Sequence, residues 1–308
     1  MIHTIYSSIL ILPKPFHQIV YILLKCWYSN QTNYVKWDEA VSDEYRLSWG
    51  VRQGGLTSPR LFNLYMDGLI RELSGTGIGC SIDGTMINNI SYADDMVLLS
   101  PSLSGLRKLI SICECYAEAQ GLKYNSTKSE VMIFKAGSKT YDIPPVILNN
   151  HPLKRVEKVK YLGHWVTDTL NDDLDIERER RALSVRANML ARRFARCTKP
   201  VKITLFKAYC QSLYTCSLWV KRSQRAYNAL RVQYNNGFRV LLGLPRFCSA
   251  SGMFADAGVD GFAALIRKRA ASLMRRVRDS ANSYLQLIAD RVGLDCPVLA
   301  MWTRLHVI

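Results

Sequence analysis

Tyr92-Ala93-Asp94-Asp95 interrupts an otherwise apolar segment that runs from Ile87 to Leu99. Unpaired charge is costly near a core, so two adjacent carboxylates in such a run call for a reason. The flanking Ile90, Tyr92, Met96, Val97, Leu98 and Leu99 favour strands, and Asp tolerates turn geometry. The pattern therefore predicts a hairpin whose tip holds both acids rigidly. Carboxylate oxygens so presented suit a hard divalent cation. Two cations about 3.5–4 Å apart, bridged by carboxylates, can stabilise the attacking and leaving oxygens of a nucleotidyl transfer. In that chemistry Asp94 is the primary ligand, and Asp95 is a second ligand or an electrostatic helper. The same four residues would also make an ordinary exposed polar turn.

Forty residues upstream stands Gly50-Val51-Arg52-Gln53-Gly54-Gly55-Leu56-Thr57-Ser58-Pro59. Gly50, Gly54 and Gly55 let backbone approach a planar or phosphate-bearing ligand closely. Arg52 can hold a phosphate, and Gln53 can hydrogen-bond a base or sugar edge. A Gly-Gly loop alone says little. A Gly-x-Arg-Gln-Gly-Gly-x-x-Ser-Pro string that opens a helix, ahead of a Tyr-x-Asp-Asp hairpin, is far more specific.

The elements around these strings follow from periodicity. Residues 16–28 predict a helix, with Val20, Leu23, Leu24 and Trp27 at helical spacing. Residues 32–49 predict two short strands around a turn at Asp38-Glu39. Ser58-Pro59 supplies an N-cap and a first-turn proline. The helix that follows runs to about Leu73, with Phe62, Tyr65, Met66, Leu69, Ile70 and Leu73 on one face; Gly75 and Gly77 end it. Strand-like residues 78–90 lead into the carboxylate hairpin, and a second helix covers 103–119. Strands are expected at 122–125, 130–134 and 159–166, with a boundary loop from Gly137 to Pro152. Beyond Asp172 only helices are expected: one through Phe194, one from Pro200 to about Val220, then 224–242, 261–278 and 282–292. This is an α+β unit followed by an all-helical one.

The 308 residues are 48% hydrophobic and 21% charged, a globular composition. Apolar runs fall short of the roughly 18 residues a membrane span needs. Met1–Phe16 lacks a basic head and a small-residue cleavage site, so no signal peptide and an intracellular setting are expected. Nine cysteines, an odd number without Cys-x-x-Cys, predict buried thiols rather than zinc. Residues 1–150 carry 13 basic and 13 acidic side chains, whereas 151–308 carry 28 and 12. The whole net charge of +16 thus sits in the helical half. A polyanion, nucleic acid first, is the partner such asymmetry suggests. Arg180, Arg181, Arg192, Arg193, Arg225, Arg231 and Arg239 could contact phosphates. Among the interleaved Tyr209, Tyr214, Trp219 and Tyr227, most are expected in the core.

Taken together, the strings GVRQGGLTSPRLFNLYMDGLI, ISYADDMVLL, GLKYNSTKSEVMIF and VKYLGHWV resemble the palm of reverse transcriptases of non-LTR (LINE-type) retrotransposons. The resemblance implies a polymerase palm with an antiparallel sheet and packed helices over residues 1–166. It implies a thumb-like basic helical region at 167–245 and a C-terminal helical segment at 246–308. It implies an RNA-directed DNA polymerase using two magnesium or manganese ions, an RNA template, a DNA primer and deoxynucleoside triphosphates. No membrane is implied. By this resemblance Asp94 and Asp95 are catalytic metal ligands, and Arg52, Gln53, Gly54 and Gly55 contact template and incoming nucleotide. Lys128 falls where a triphosphate-binding lysine is placed, although the residues alone leave it equally a solvated turn lysine. Tyr161, Leu162 and Gly163 match the hairpin that grips the primer end, and equally suit a strand end beside a turn glycine. One departure stands out. The family's first catalytic aspartate belongs in a strand before the helix that ends near Trp27-Tyr28, yet Asp38 is the first acidic residue. The expectation is an N-terminally truncated domain that does not polymerise alone. The alternative is a non-catalytic nucleic-acid-binding remnant.

Overall fold

The computed structural model describes residues 14–29, 31–46, 54–135 and 142–290. Arg52 and Gln53 lie outside the described residues. The chain divides into two compact units: Met1–Val131 with Tyr141–Lys154, and Met132–Thr140 with Arg155–Ile308.

The first unit opens with helix α1 (Lys14–Ser29). Strands β1 (Thr32–Asn33) and β4 (Tyr45–Arg46) pair antiparallel, as do β2 (Lys36–Trp37) and β3 (Ala40–Val41). The turn at Asp38-Glu39 falls where expected, with Asp38 at φ 54°. Helix α2 (Ser58–Gly75) follows the glycine pair. Ser58 is not its cap: Thr57 precedes the helix and Ser58 is a buried first-turn residue. Leu61, Tyr65, Met66, Leu69 and Leu73 form its buried face, a stripe at helical spacing. Strands β5 (Cys80–Ile82) and β6 (Thr85–Ile87) make one hairpin, and β7 (Asn89–Tyr92) and β8 (Asp95–Leu98) the next.

Helix α3 (Leu103–Ala119) is capped by Ser102, whose hydroxyl accepts the Gly105 N–H at 3.1 Å. Its Leu109 and Cys113 share a core with Tyr65, Met66, Leu69 and Leu73, against which Met96 and Leu98 pack. Residues 122–125 are not a strand. The Leu122 N–H closes the end of α3 on Ala117, and Tyr124 packs into the core from irregular backbone. After β9 (Glu130–Met132), the segment expected to be a boundary loop contains a hairpin, β10 (Ile147–Leu148) with β11 (His151–Pro152). Val146 and Leu148 are buried with Ile110 and Val131, so the described part of this stretch, residues 142–152, packs into the first unit.

The long segment of the second unit begins within β12 (Lys154–Val156). Strands β13 (Lys158–Tyr161) and β14 (His164–Thr167) form a hairpin in full register. Helix α4 (Asp173–Arg193) packs along α6 (Gln224–Leu242). Between them, helix α5 (Lys199–Cys210) ends ten residues earlier than the sequence suggested. Leu213 and Thr215 adopt positive φ, 30° and 67°, and the chain reverses into a 3-10 turn at Cys216–Leu218. That reversal buries Leu213, Cys216 and Trp219, a larger gain than continued helix would give. Helices α7 (Ala250–Asp256), α8 (Phe262–Arg278) and α9 (Ser283–Asp290) complete the unit. Helix α7 was not expected; it is short, and it contributes Met253 and Phe254 to the core. The centre is aromatic: Phe206 meets Phe238 edge-on with centroids 4.8 Å apart, and Tyr234 stacks on Phe254 at 5.3 Å.

Strands thus pair antiparallel beside packed helices in the first unit, and helices dominate the second. This is the α+β class. The strand contacts come as two-stranded pairs rather than as one continuous sheet.

Candidate active site at a carboxylate hairpin

Tyr92 pairs with Asp95 across β7 and β8, so Ala93 and Asp94 are the two loop residues of a tight hairpin. Both carboxylates and Tyr92 are exposed. The desolvation cost anticipated from the apolar flanks is therefore not incurred. Ala93 sits at φ 52°, where an L side chain is strained by about 1–3 kcal/mol. Such strain persists only where the surroundings over-determine the backbone.

The surroundings here are two asparagines at the hairpin root. The buried Asn88 amide donates to the Leu73 carbonyl at 2.6 Å and to the Ile78 carbonyl at 2.7 Å. It thereby joins the Thr76 N–H and hydroxyl on the Leu73 carbonyl and ties the hairpin root to the C-terminal end of α2. Asn89 donates to the Asn88 side-chain oxygen at 2.8 Å, and the Leu99 N–H closes on the Asn88 carbonyl at 2.8 Å. Gly79 is required beside them. Its φ is 132°, and a Cβ there would lie 2.3 Å from the Asn88 Cβ. Met96 and Leu98 fasten the other strand to the core of α2 and α3.

Sequence reasoning missed these asparagines because Asn reads as a turn former. The available signal was their position: two adjacent amides directly before the apolar strand, after a helix end that needs donors.

Gly54, with φ 82°, and Gly55 immediately precede α2. The helix therefore carries the glycine pair at one end and the root of the carboxylate hairpin at the other. Lys128 is exposed in a turn closed by Asn125, whose side-chain oxygen accepts the Lys128 N–H at 3.1 Å. Tyr161, Leu162 and Gly163 belong to the second unit, where Leu162 and Gly163 form the loop between β13 and β14. Among the described residues, no group of three or more His, Cys, Asp or Glu side chains could by itself hold a metal ion.

The second unit contains the most heavily hydrogen-bonded carboxylate, which sequence reasoning read only as part of a helix start. Asp175 is fully buried. Its Oδ1 accepts the Trp165 N–H at 3.2 Å and Arg178 Nε at 2.7 Å. Its Oδ2 accepts Trp219 Nε1 at 2.8 Å and the Thr215 hydroxyl at 2.7 Å, with His164 Nδ1 at 3.1 Å. Burial alone raises a carboxyl pKa. Here the donors from His164, Arg178, Trp219 and Thr215 outweigh it and hold Asp175 well below the ordinary carboxylate range. Asp172 behaves in the opposite sense. Burial outweighs the two backbone N–H bonds from Val220 and Lys221 and pushes its pKa up.

The basic surface is narrower than the composition suggested. Arg180 and Arg181 are tied to Glu177, and Arg239 is bound to the Cys248 carbonyl. Arg192, Arg193, Arg225 and Arg231 are exposed. Of the four aromatics, Trp219 is buried and Tyr227 half-buried, but Tyr209 and Tyr214 are exposed rather than in the core. The run Arg267-Lys268-Arg269 forms an exposed face of α8, with Leu265, Ile266 and Ala270 buried behind it. No described helix is long and apolar enough to cross a membrane.

Residues 6–166 match the family profile described as reverse transcriptase (RNA-dependent DNA polymerase). A retrovirus-related Pol polyprotein from the type-2 retrotransposable element R2DM of Drosophila melanogaster is 33% identical over 144 residues, which is 42% of this chain and 13% of that protein. A Pol polyprotein of the retrotransposable element R2 from Nasonia vitripennis is 31% identical over 37% of the chain and 12% of its own length. The RNA-directed DNA polymerase from the mobile element jockey of Drosophila melanogaster is 21% identical over 86% of the chain and 29% of its own length. The chain thus spans between about an eighth and under a third of the length of these curated relatives. The matched profile covers more than half of the sequence and takes in both the glycine string and the carboxylate hairpin; the chain belongs to the reverse transcriptase (RNA-dependent DNA polymerase) family.

Proposed function

We propose that this chain is the template-copying part of a retrotransposon polymerase, with Asp94 and Asp95 as metal-binding carboxylates. The supporting observation is the hairpin itself, a strained two-residue loop fastened at its root that presents both acids to solvent. Two hard oxygen donors suit Mg2+ or Mn2+. Such ions are typically held by one or two carboxylates plus the phosphates of a nucleotide rather than by an all-protein cage. When bound, divalent ions lower the pKa of an attacking 3′-hydroxyl and neutralise triphosphate charge. The chain's own residues do the rest. Gly54 and Gly55 leave room for template and nucleotide, Arg52 and Gln53 contact them, and Lys128 binds phosphate. The Leu162–Gly163 loop, with Tyr161, grips the primer end, and exposed arginines of the helical unit hold the duplex by its phosphates.

On this reading the pair binds cation and nucleotide together, but turnover by these 308 residues alone is weak. No Asp or Glu occurs before Asp38 to serve as a further bridging carboxylate. The test is Mn2+ binding in the presence of a deoxynucleoside triphosphate, followed by paramagnetic relaxation. Asp94→Ala should abolish the bound-ion signal. Wild-type binding that survives in Asp94→Ala would refute the assignment. Primer extension that proceeds efficiently in the wild type and vanishes in Asp94→Ala would keep the metal role but overturn the weak-turnover claim.

A further inference from the structure

The loop between β13 and β14 is held from beneath by groups far away in sequence. Leu162, at φ 46°, and Gly163, at φ 84°, make the turn, and Leu162 is exposed. The Tyr214 hydroxyl donates to the Leu162 carbonyl at 3.0 Å. The Tyr214 ring also lies under Gly163, where an added Cβ would come within 3.1 Å of it. On the other side of the turn, His164 and the Trp165 N–H bind Asp175. Asp175 in turn holds Thr215 and Trp219, the residues that bracket the 3-10 turn following Tyr214. Arg178 reaches both ends of this arrangement, with Nη2 on Asp175 Oδ2 at 3.3 Å and on Thr215 Oγ1 at 3.4 Å. An exposed phenol thus holds the tip itself, and a buried carboxylate holds the strand residues that follow it, both tied to the same 3-10 turn.

A bare structural staple would not need Tyr214. Asp175 already joins hairpin, helix and turn, and Tyr214 is half exposed, so its burial contributes little. What its hydroxyl adds is the direction of a single carbonyl at the apex of the loop. We propose that Tyr214 and Asp175 are positioning residues for the primer 3′ end, setting the Leu162–Gly163 tip against which the terminal nucleotide rests. The proposal rests on the primer-grip reading of this hairpin.

The experiment compares two RNA–DNA hybrids of the same sequence by fluorescence anisotropy, one with a recessed DNA 3′ end and one continuous. The full chain should prefer the recessed end. Tyr214→Phe keeps the ring over Gly163 and removes only the donor to Leu162. It should lower the preference about three- to ten-fold, the worth of one hydrogen bond. Its affinity for the continuous hybrid and its melting temperature should not change. Gly163→Ala, which drives a Cβ into the Tyr214 ring, should lower the same ratio. A preference retained by both variants overturns the proposal and leaves the primer-grip reading intact. Loss of affinity for both hybrids alike, or a lowered melting temperature in Tyr214→Phe, assigns the bond a purely structural role and overturns it too. A wild-type chain with no preference overturns the primer-grip reading, and the proposal falls with it.

Discussion

Replacing Asp175 by asparagine should be the most damaging isosteric change in the helical unit. The two side chains have the same shape, so the cost comes entirely from hydrogen bonding and charge. An asparagine keeps one acceptor oxygen and turns its NH2 toward donors. With the NH2 at the Oδ1 position, it faces the Trp165 N–H and Arg178 Nε. With the NH2 at the Oδ2 position, it faces Trp219, Thr215 and His164. Obligate donors are orphaned either way, Trp219 Nε1 in one orientation and the Trp165 N–H with Arg178 Nε in the other, each at about 1–3 kcal/mol, and the half-buried Arg178 loses its nearest counter-charge. The expected loss is about 3–5 kcal/mol, the range for breaking a buried pair from one side. Asp172→Asn serves as the control. Its Oδ2 accepts the Val220 and Lys221 N–H groups, and an amide oxygen can still take both, so about 1 kcal/mol is expected.

The assay is urea unfolding followed by far-UV circular dichroism. The pH dependence gives a second readout. Asp175 has a folded pKa below its ordinary 3.8. The stability it contributes is therefore fully present above about pH 4 and is lost as pH falls below that value toward the folded pKa. Wild type should lose stability steeply in that acid window, and Asp175→Asn should lose clearly less, the remainder coming from Glu177, whose pKa Arg180 and Arg181 pull down to about 2. A change below about 1 kcal/mol for Asp175→Asn, or a larger change for Asp172→Asn, would refute the reasoning.

Two further outcomes follow from the geometry. Gly79→Ala places a methyl 2.3 Å from the Asn88 Cβ at φ 132°, so thermal unfolding of the first unit should show a loss of about 2–4 kcal/mol; a neutral variant would show that the hairpin root is not interlocked. Arg192→Ala combined with Arg193→Ala should reduce the slope of log affinity for an RNA–DNA hybrid against log salt by about 1–2, while an unchanged slope would remove the end of α4 from the duplex path.

Much of this architecture was legible where the controlling contacts are local. Helix α3 shows itself through Leu106, Leu109, Ile110, Cys113 and Ala117 at helical spacing and through Gly121 just beyond its end. Helix α6 runs from its Ser223 cap to Gly243, whose N–H bonds back into the helix. The carboxylate hairpin is local as well, since Tyr92 and Asp95, three residues apart, close it. What stayed hidden depends on distant partners. Asp175 meets Thr215 and Trp219 forty and forty-four residues away, so no window around it distinguishes a buried hub from a first-turn acid that favours the helix dipole. Helix α5 stops at Cys210 because burying Leu213, Cys216 and Trp219 outweighs continued propensity, a choice made by α4 and α6 rather than by local sequence. Tyr214 looked like a core aromatic by spacing, and only the reversal after Cys210 turns it outward.

Ala93 has a consequence of its own. Glycine would relieve the loop, yet a methyl group stands at φ 52°. That methyl narrows the shapes open to the tip before anything binds, as any side chain does relative to glycine. On the proposed metal-binding role, the entropy of immobilising two neighbouring acids is then taken up when the chain folds, and an arriving cation would find its ligands already preorganised. Ala93→Gly would make the protein easier to build and the ion harder to catch.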